Sequence, residues 1–160
     1  MIQRAQWTER DLALPRITLH IRRLDAGGPL LILLHGLSAD GTVWQGVGRR
    51  LSPPATLVAA DLRGHGLSGH PSSGYRVADY AADVAELLDA LAREAGDPVN
   101  LLGHSLGALA ALGAAALRPS AVGRLVLVDP PLDRPRRLAL YLKRMLCLLY
   151  TSPSPRDRQK

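Results

Sequence analysis

The chain has 160 residues, 47% of them apolar, and a single cysteine, Cys147. That is long enough for one domain with a real core and too apolar for a disordered chain, and one cysteine excludes a disulfide framework. The net charge of +6 is uneven: residues 134–160 hold 8 basic groups against 1 acidic one, which leaves the first 133 residues at −1.

A near-neutral body with a basic tail can signal nucleic acid or an anionic membrane surface. No aromatic residues interleave with the basic groups as a base-stacking platform requires, so nucleic acid stays a minor alternative. Residues 1–30 lack a charged segment followed by an apolar run, so no signal peptide is expected. No uncharged apolar run of about 18 residues occurs outside the stretch around His104 and Ser105, whose polar side chains argue against a membrane span. A cytoplasmic protein is expected, with no membrane partner.

In chain order, Trp7 to Leu14 suggests a strand, with Pro15-Arg16 as its turn. Ile17-Thr18-Leu19-His20-Ile21-Arg22 then alternates as a half-buried strand does. Gly27-Gly28 makes the next turn. Leu30-Leu31-Ile32-Leu33-Leu34 is continuously apolar, as in a strand buried on both faces of a parallel sheet. It ends at His35-Gly36-Leu37-Ser38. Thr42 to Leu51 reads as a short helix weakened by Gly46 and Gly48.

Thr56 to Ala60 is another buried strand, running into Asp61-Leu62-Arg63-Gly64-His65-Gly66-Leu67-Ser68-Gly69. Gly64, Gly66 and Gly69 match the dinucleotide-binding fingerprint in spacing. In that motif, however, the last glycine opens a helix whose N-terminus faces pyrophosphate. Here His70-Pro71-Ser72-Ser73-Gly74 continues as loop, so a glycine-rich turn is the reading and no cofactor is assigned. From Val77 to Ala95 the apolar period is helical, with Asp79, Asp83, Glu86 and Asp89 on what reads as a solvated face. Gly96-Asp97-Pro98 stops that helix.

Val99 to Leu112 is the stretch around which the chain is arranged. A short apolar run turns at Gly103-His104-Ser105-Leu106-Gly107 and continues as an alanine- and leucine-rich helix. A serine at the apex of a strand-to-helix turn needs strained backbone, and a side chain at either glycine would clash. The N–H of Leu106 opens the helix, where the positive dipole end stabilises a developing oxyanion. Arg124 to Val128 forms the last predicted strand, ending at Asp129-Pro130-Pro131. The order of strands and helices predicts a mostly parallel α/β sheet with helices on both faces.

His35-Gly36-Leu37, Asp61 to Ser68, Gly103 to Gly107 and Leu127 to Pro130 together resemble the ordered signature of α/β-hydrolase-fold enzymes, over about residues 7–135. The resemblance implies a hydrolase of esters, lactones, thioesters or related carbonyls, acting on a small molecule. Ser105 would be its nucleophile, and the backbone N–H groups of Leu37 and Leu106 its oxyanion hole. A serine in place of an aspartate at the elbow departs from haloalkane dehalogenases and epoxide hydrolases. The alternative is a non-catalytic binding module on the same scaffold.

One departure stands out. The fold orders its residues nucleophile, acid, histidine, yet His20, His35, His65, His70 and His104 all precede Ser105. Asp129 and Asp133 could each supply an acid. His35 or His65 could enter a rearranged triad, and His65, His70 and Asp61 could make a metal cluster, but loop packing is the simpler reading of all of them; no metal is assigned. Residues 1–135 read as the N-terminal part of the hydrolase core, its late strands, acid and histidine missing. Residues 136–146 read as the start of a helical cap. Residues 147–160 read as a disordered Ser/Pro/Arg tail resembling translated adapter sequence. A core cut there would leave the Leu125–Val128 strand as an unpaired edge.

Overall fold

The computed structural model describes residues 6–48, 50–51 and 54–131. The proposed cap start at 136–146, the tail at 147–160 and Asp133 lie outside them. Six strands form one sheet: β1 (Trp7–Ala13), β2 (Thr18–Leu24), β3 (Leu30–Leu34), β4 (Thr56–Ala60), β5 (Val99–His104) and β6 (Val122–Val128). Two helices join the later strands, α1 (Val77–Ala95) and α2 (Leu106–Leu117). The spatial order is β1-β2-β4-β3-β5-β6. β1, β2 and β4 pair antiparallel, while β4, β3, β5 and β6 run parallel. This is the mostly parallel α/β sheet expected from the sequence.

Side-chain alternation builds two apolar layers. Leu30, Ile32 and Leu34 of β3, with Val58 and Ala60 of β4, face Val84, Leu87, Leu88 and Leu91 of α1 and Ala110, Ala111 and Ala114 of α2. Leu33, Leu57 and Ala59 face the other way, against Trp7 and Trp44. Helical structure therefore covers both faces, but unequally. The second face carries a one-turn 3-10 helix, Gly41–Trp44, where the sequence suggests a helix to Leu51. Gly46 and Gly48, with their high backbone entropy, stop its propagation.

The small residues of α2 have a packing reason. A methyl group built on Gly113 would overlap Ala81 of α1, so the two helices touch nearly backbone to backbone. At the other margin β6 is an edge among the described residues, with Val126 and Val128 each more than two-fifths exposed.

The acidic side of α1 departs from the solvated face expected. Asp79 and Asp83 are buried. The Asp79 carboxylate accepts the backbone N–H of Arg76 at 2.9 Å, capping the helix start, and that bond holds its pKa below the usual carboxylate range. Asp83 takes Arg63 in a fork, with Arg63 Nη2 donating to Asp83 Oδ1 at 2.6 Å and Arg63 Nε donating to the other oxygen. Arg63 Nη1 reaches the Gly74 carbonyl at 2.7 Å. Farther along, Glu86 accepts the backbone N–H of Arg16, and Asp89 pairs with Arg118. Spacing alone cannot tell a solvated acidic stripe from one with a loop folded over it.

Removing one partner of a buried pair leaves the other charge uncompensated. Asp83→Ala should cost about 3–5 kcal/mol, seen as a lower urea midpoint with an unchanged slope. Asp89→Ala, at a pair with Arg118 partly in water, should cost about 0–1 kcal/mol. Equal losses at both positions would contradict this account.

Candidate active site

At the end of β5 the chain turns into α2 within one residue. Ser105 sits at φ 52° and ψ −113°, a conformation that a non-glycine residue adopts only under constraint. Its N–H donates to the Val128 carbonyl of β6 at 3.0 Å, and its carbonyl accepts from Ala108 and Leu109 of α2. A methyl group on Gly103 would collide with the backbone of Gly107 and Ala108. One on Gly107 would collide with the carbonyls of Leu34 and His35. The two glycines let β3, β5 and the first turn of α2 meet with no side chain between them.

That crowding brings the exit of β3 against Ser105. A methyl group built on Gly36 would lie 3.3 Å from Ser105 Cβ and 2.9 Å from Nδ1 of His104. Leu37 follows in the same turn, half-buried, and Leu106 is half-buried at the first position of α2. Like the other leading N–H groups of a helix, that of Leu106 has no intrahelical acceptor. Ser38, Ser105 and Asp129 are the non-glycine residues with positive φ among the described residues, and they lie in the exit turns of β3, β5 and β6. Asp129 itself is exposed.

Among the described residues no histidine is hydrogen-bonded to the Ser105 side chain. His35 is fully buried; its Nδ1–H donates to the Gly36 carbonyl at 2.7 Å and its Nε2 accepts the Leu62 N–H at 2.9 Å. Burial pushes its pKa below the ordinary histidine value. With both nitrogens engaged it holds two loops together. His65 directs Nδ1 to the Arg63 carbonyl, and its ring lies tilted by 60° against that of His35 at 5.2 Å between centroids. Tyr80, its pKa pushed up to about 12 by burial, lies tilted beside the His65 ring at 6.4 Å between centroids. His20 lies on β2 beside Asp11 at 2.8 Å, and His70 and His104 are exposed.

The loop after β4 carries what the sequence reading missed. Asp61 is fully buried. Its Oδ1 accepts the Gly41 N–H at 2.7 Å and Arg22 Nη1 at 2.6 Å, and its Oδ2 accepts the Leu67 N–H at 2.9 Å. Arg22 is bound in turn to Glu9 through Nε at 3.1 Å. A methyl group on Gly66 would overlap the Asp61 carboxylate, which explains one glycine of the fingerprint-like loop. Gly64 N–H closes the loop onto the Gly69 carbonyl at 2.9 Å, and no helix begins between Gly69 and Val77. Alternation along β2 placed Arg22 at a polar position; only the antiparallel pairing with β4 shows that position to be buried over Asp61.

Comparison with known proteins agrees with this geometry. A family model described as alpha/beta hydrolase fold matches residues 29–148. The 2-(acetamidomethylene)succinate hydrolase of Mesorhizobium japonicum is 42% identical over 120 residues, which is 75% of this chain and 42% of that protein. The N-formylmaleamate deformylase of Pseudomonas putida is 39% identical over 121 residues, 75% of this chain and 44% of that one. A crystal structure of E-2-(acetamidomethylene)succinate hydrolase superposes with a TM-score of 0.68 at 40% identity, covering 75% of this chain and 43% of the other. The chain thus spans less than half the length of these relatives. Among its described residues, no helix is long and apolar enough to cross a membrane. A sheet of this order, a serine raised on a strained turn between crowding glycines, and a match across three-quarters of its length make this chain a member of the α/β-hydrolase-fold family.

Proposed function

We propose that this chain carries the nucleophile and the oxyanion hole of a serine hydrolase acting on a small-molecule ester, lactone, thioester or related acyl carbonyl. The observation that carries the reading is the backbone of Ser105, held at φ 52° where α2 begins and the exit of β3 passes. Ser105 Oγ attacks the carbonyl carbon, and the electron pair of the C=O bond moves onto oxygen. The N–H groups of Leu37 and Leu106 receive that charge, the second with the dipole of α2 behind it. Both donors are backbone groups, so they need no rotameric ordering when charge develops.

Ser105 must lose its proton as it attacks, and a histidine is the usual acceptor. His35 has both ring nitrogens engaged, and His65 is held by the Arg63 carbonyl. No histidine follows Ser105 in these 160 residues. The base in this proposal comes from outside them, and the 160 residues alone turn over little or no substrate. The names of the relatives, a hydrolase of an acetamidomethylene succinate and a formylmaleamate deformylase, fit an acyl carbonyl on a small molecule.

In the protein as its gene encodes it, Ser105→Ala should lower kcat/KM for the acyl substrate by about 10⁴-fold or more. A fluorophosphonate probe should label the parent and not the variant. Substrate binding without labelling or turnover would replace this reading with the non-catalytic binding module. Gly107→Ala should also abolish hydrolysis. Its methyl group meets the Leu34 and His35 carbonyls, and overpacking of this kind costs about 1–3 kcal/mol, visible as a lower melting temperature.

A further inference from the structure

The loop from His35 to Gly41 carries Leu37, and two bonds tie it to the segment after β4. At one end His35 Nε2 accepts the N–H of Leu62; at the other the Gly41 N–H donates to Asp61 Oδ1. These ties bracket Leu37. Asp61 is the charged member, and it also fastens the far limb of its own loop through Leu67 N–H. From the side of β2, Arg22 Nη1 fixes the same Oδ1, and Glu9 fixes Arg22. A side chain on Gly41 would strike Arg22 Nη1 and Asp61 Oδ1, so the backbone approaches the carboxylate as closely as a glycine allows.

We infer that Asp61, backed by Arg22, is a positioning residue for the oxyanion hole: it fixes the loop that presents the Leu37 N–H to the carbonyl attacked by Ser105. The inference rests on the serine-hydrolase reading above and adds a residue that touches neither substrate nor nucleophile. The charge and the shape of Asp61 both matter. A carboxylate offers two acceptor oxygens, one to the Gly41 N–H with Arg22 and one to the Leu67 N–H. An asparagine offers one acceptor oxygen and turns an NH₂ donor toward the remaining N–H. Asp61→Asn therefore keeps the volume and loses one of the two loop anchors. In this inference Asp61 touches neither substrate nor nucleophile, so the effect belongs in kcat and not in KM.

Hydrogen exchange and kinetics test this together. In the 160-residue chain, Asp61→Asn should speed amide exchange in residues 36–44 or 62–69 by about tenfold or more, with Leu87, Leu88 and Leu91 of α1 unchanged. In the gene-encoded protein, the same variant should lower kcat by about ten- to a hundredfold, short of the full loss of an oxyanion donor, with KM within about twofold. Unchanged exchange in both segments overturns the inference, and so does faster exchange with an unchanged kcat. If exchange rises throughout, the combination Arg22→Met with Asp61→Asn, which removes the buried guanidinium that Asp61→Asn leaves with Glu9 as its one acidic partner, is measured instead and judged by the same two readouts. Failure of the underlying reading is separately visible, because full hydrolysis by Ser105→Ala would refute it whatever Asp61 does.

Discussion

One steric constraint organises the molecule: β3, β5 and the first turn of α2 meet backbone to backbone around Ser105. Gly103 and Gly107 make the meeting possible, since a methyl group on either would enter a neighbouring main chain. From this contact follow the positive φ of Ser105, the start of α2 at Leu106 and the approach of the Gly36–Leu37 turn. The small residues of α2 continue the theme, with Gly113 against Ala81 drawing α1 under the sheet. Interiors packed at crystal-like density transmit such constraints, so a misplaced methyl group at the elbow would be felt along both helices.

A second set of constraints is electrostatic and buried. Arg22 with Asp61, and Arg63 with Asp83, sit almost wholly out of water. Pairs of this kind gain little net stability over apolar residues of equal volume, because desolvation offsets most of the attraction. What they fix is loop geometry. Arg63 and Asp83 clamp the segment after β4 to α1, a bond that raises the Arg63 pKa further. Asp61 clamps the same segment to the loop after β3. The glycine-rich segment is therefore anchored by charge, and its glycines make room for close neighbours: Gly66 for the Asp61 carboxylate, Gly64 for the Tyr75 ring and Gly69 for Ile17.

The strands were legible because their apolar runs and alternation carry a strong period, and Ser105 was legible because its turn needs two glycines at fixed spacing. Other features depend on which elements become neighbours. The helix read from Thr42 to Leu51 shrank to one 3-10 turn because Gly46 and Gly48 outweigh the propensity of the residues around them. Asp79 and Asp83 looked solvated because the sequence of α1 does not show that Arg63 and Arg16 lie over it. Asp61 looked like a loop residue, or a metal ligand, because its partners stand 39 residues before it at Arg22 and 20 before it at Gly41. Contacts so distant in sequence leave no local pattern.

The division of labour in the proposed site follows from these physical differences. In that proposal the backbone of Ser105 and the N–H groups of Leu37 and Leu106 are set by main-chain geometry, to which packing at the elbow and the Asp61 anchor contribute without help from a general base. A base, by contrast, needs a side chain carried to within hydrogen-bond reach of Ser105 Oγ. His35 shows what happens to a histidine buried in the loop after β3: both its nitrogens bind main-chain groups, and burial lowers its pKa. An imidazole that must accept and return a proton needs an uncommitted nitrogen. His35 has none to offer, so in the proposed site the loop anchors and the base can reside in separate stretches of chain.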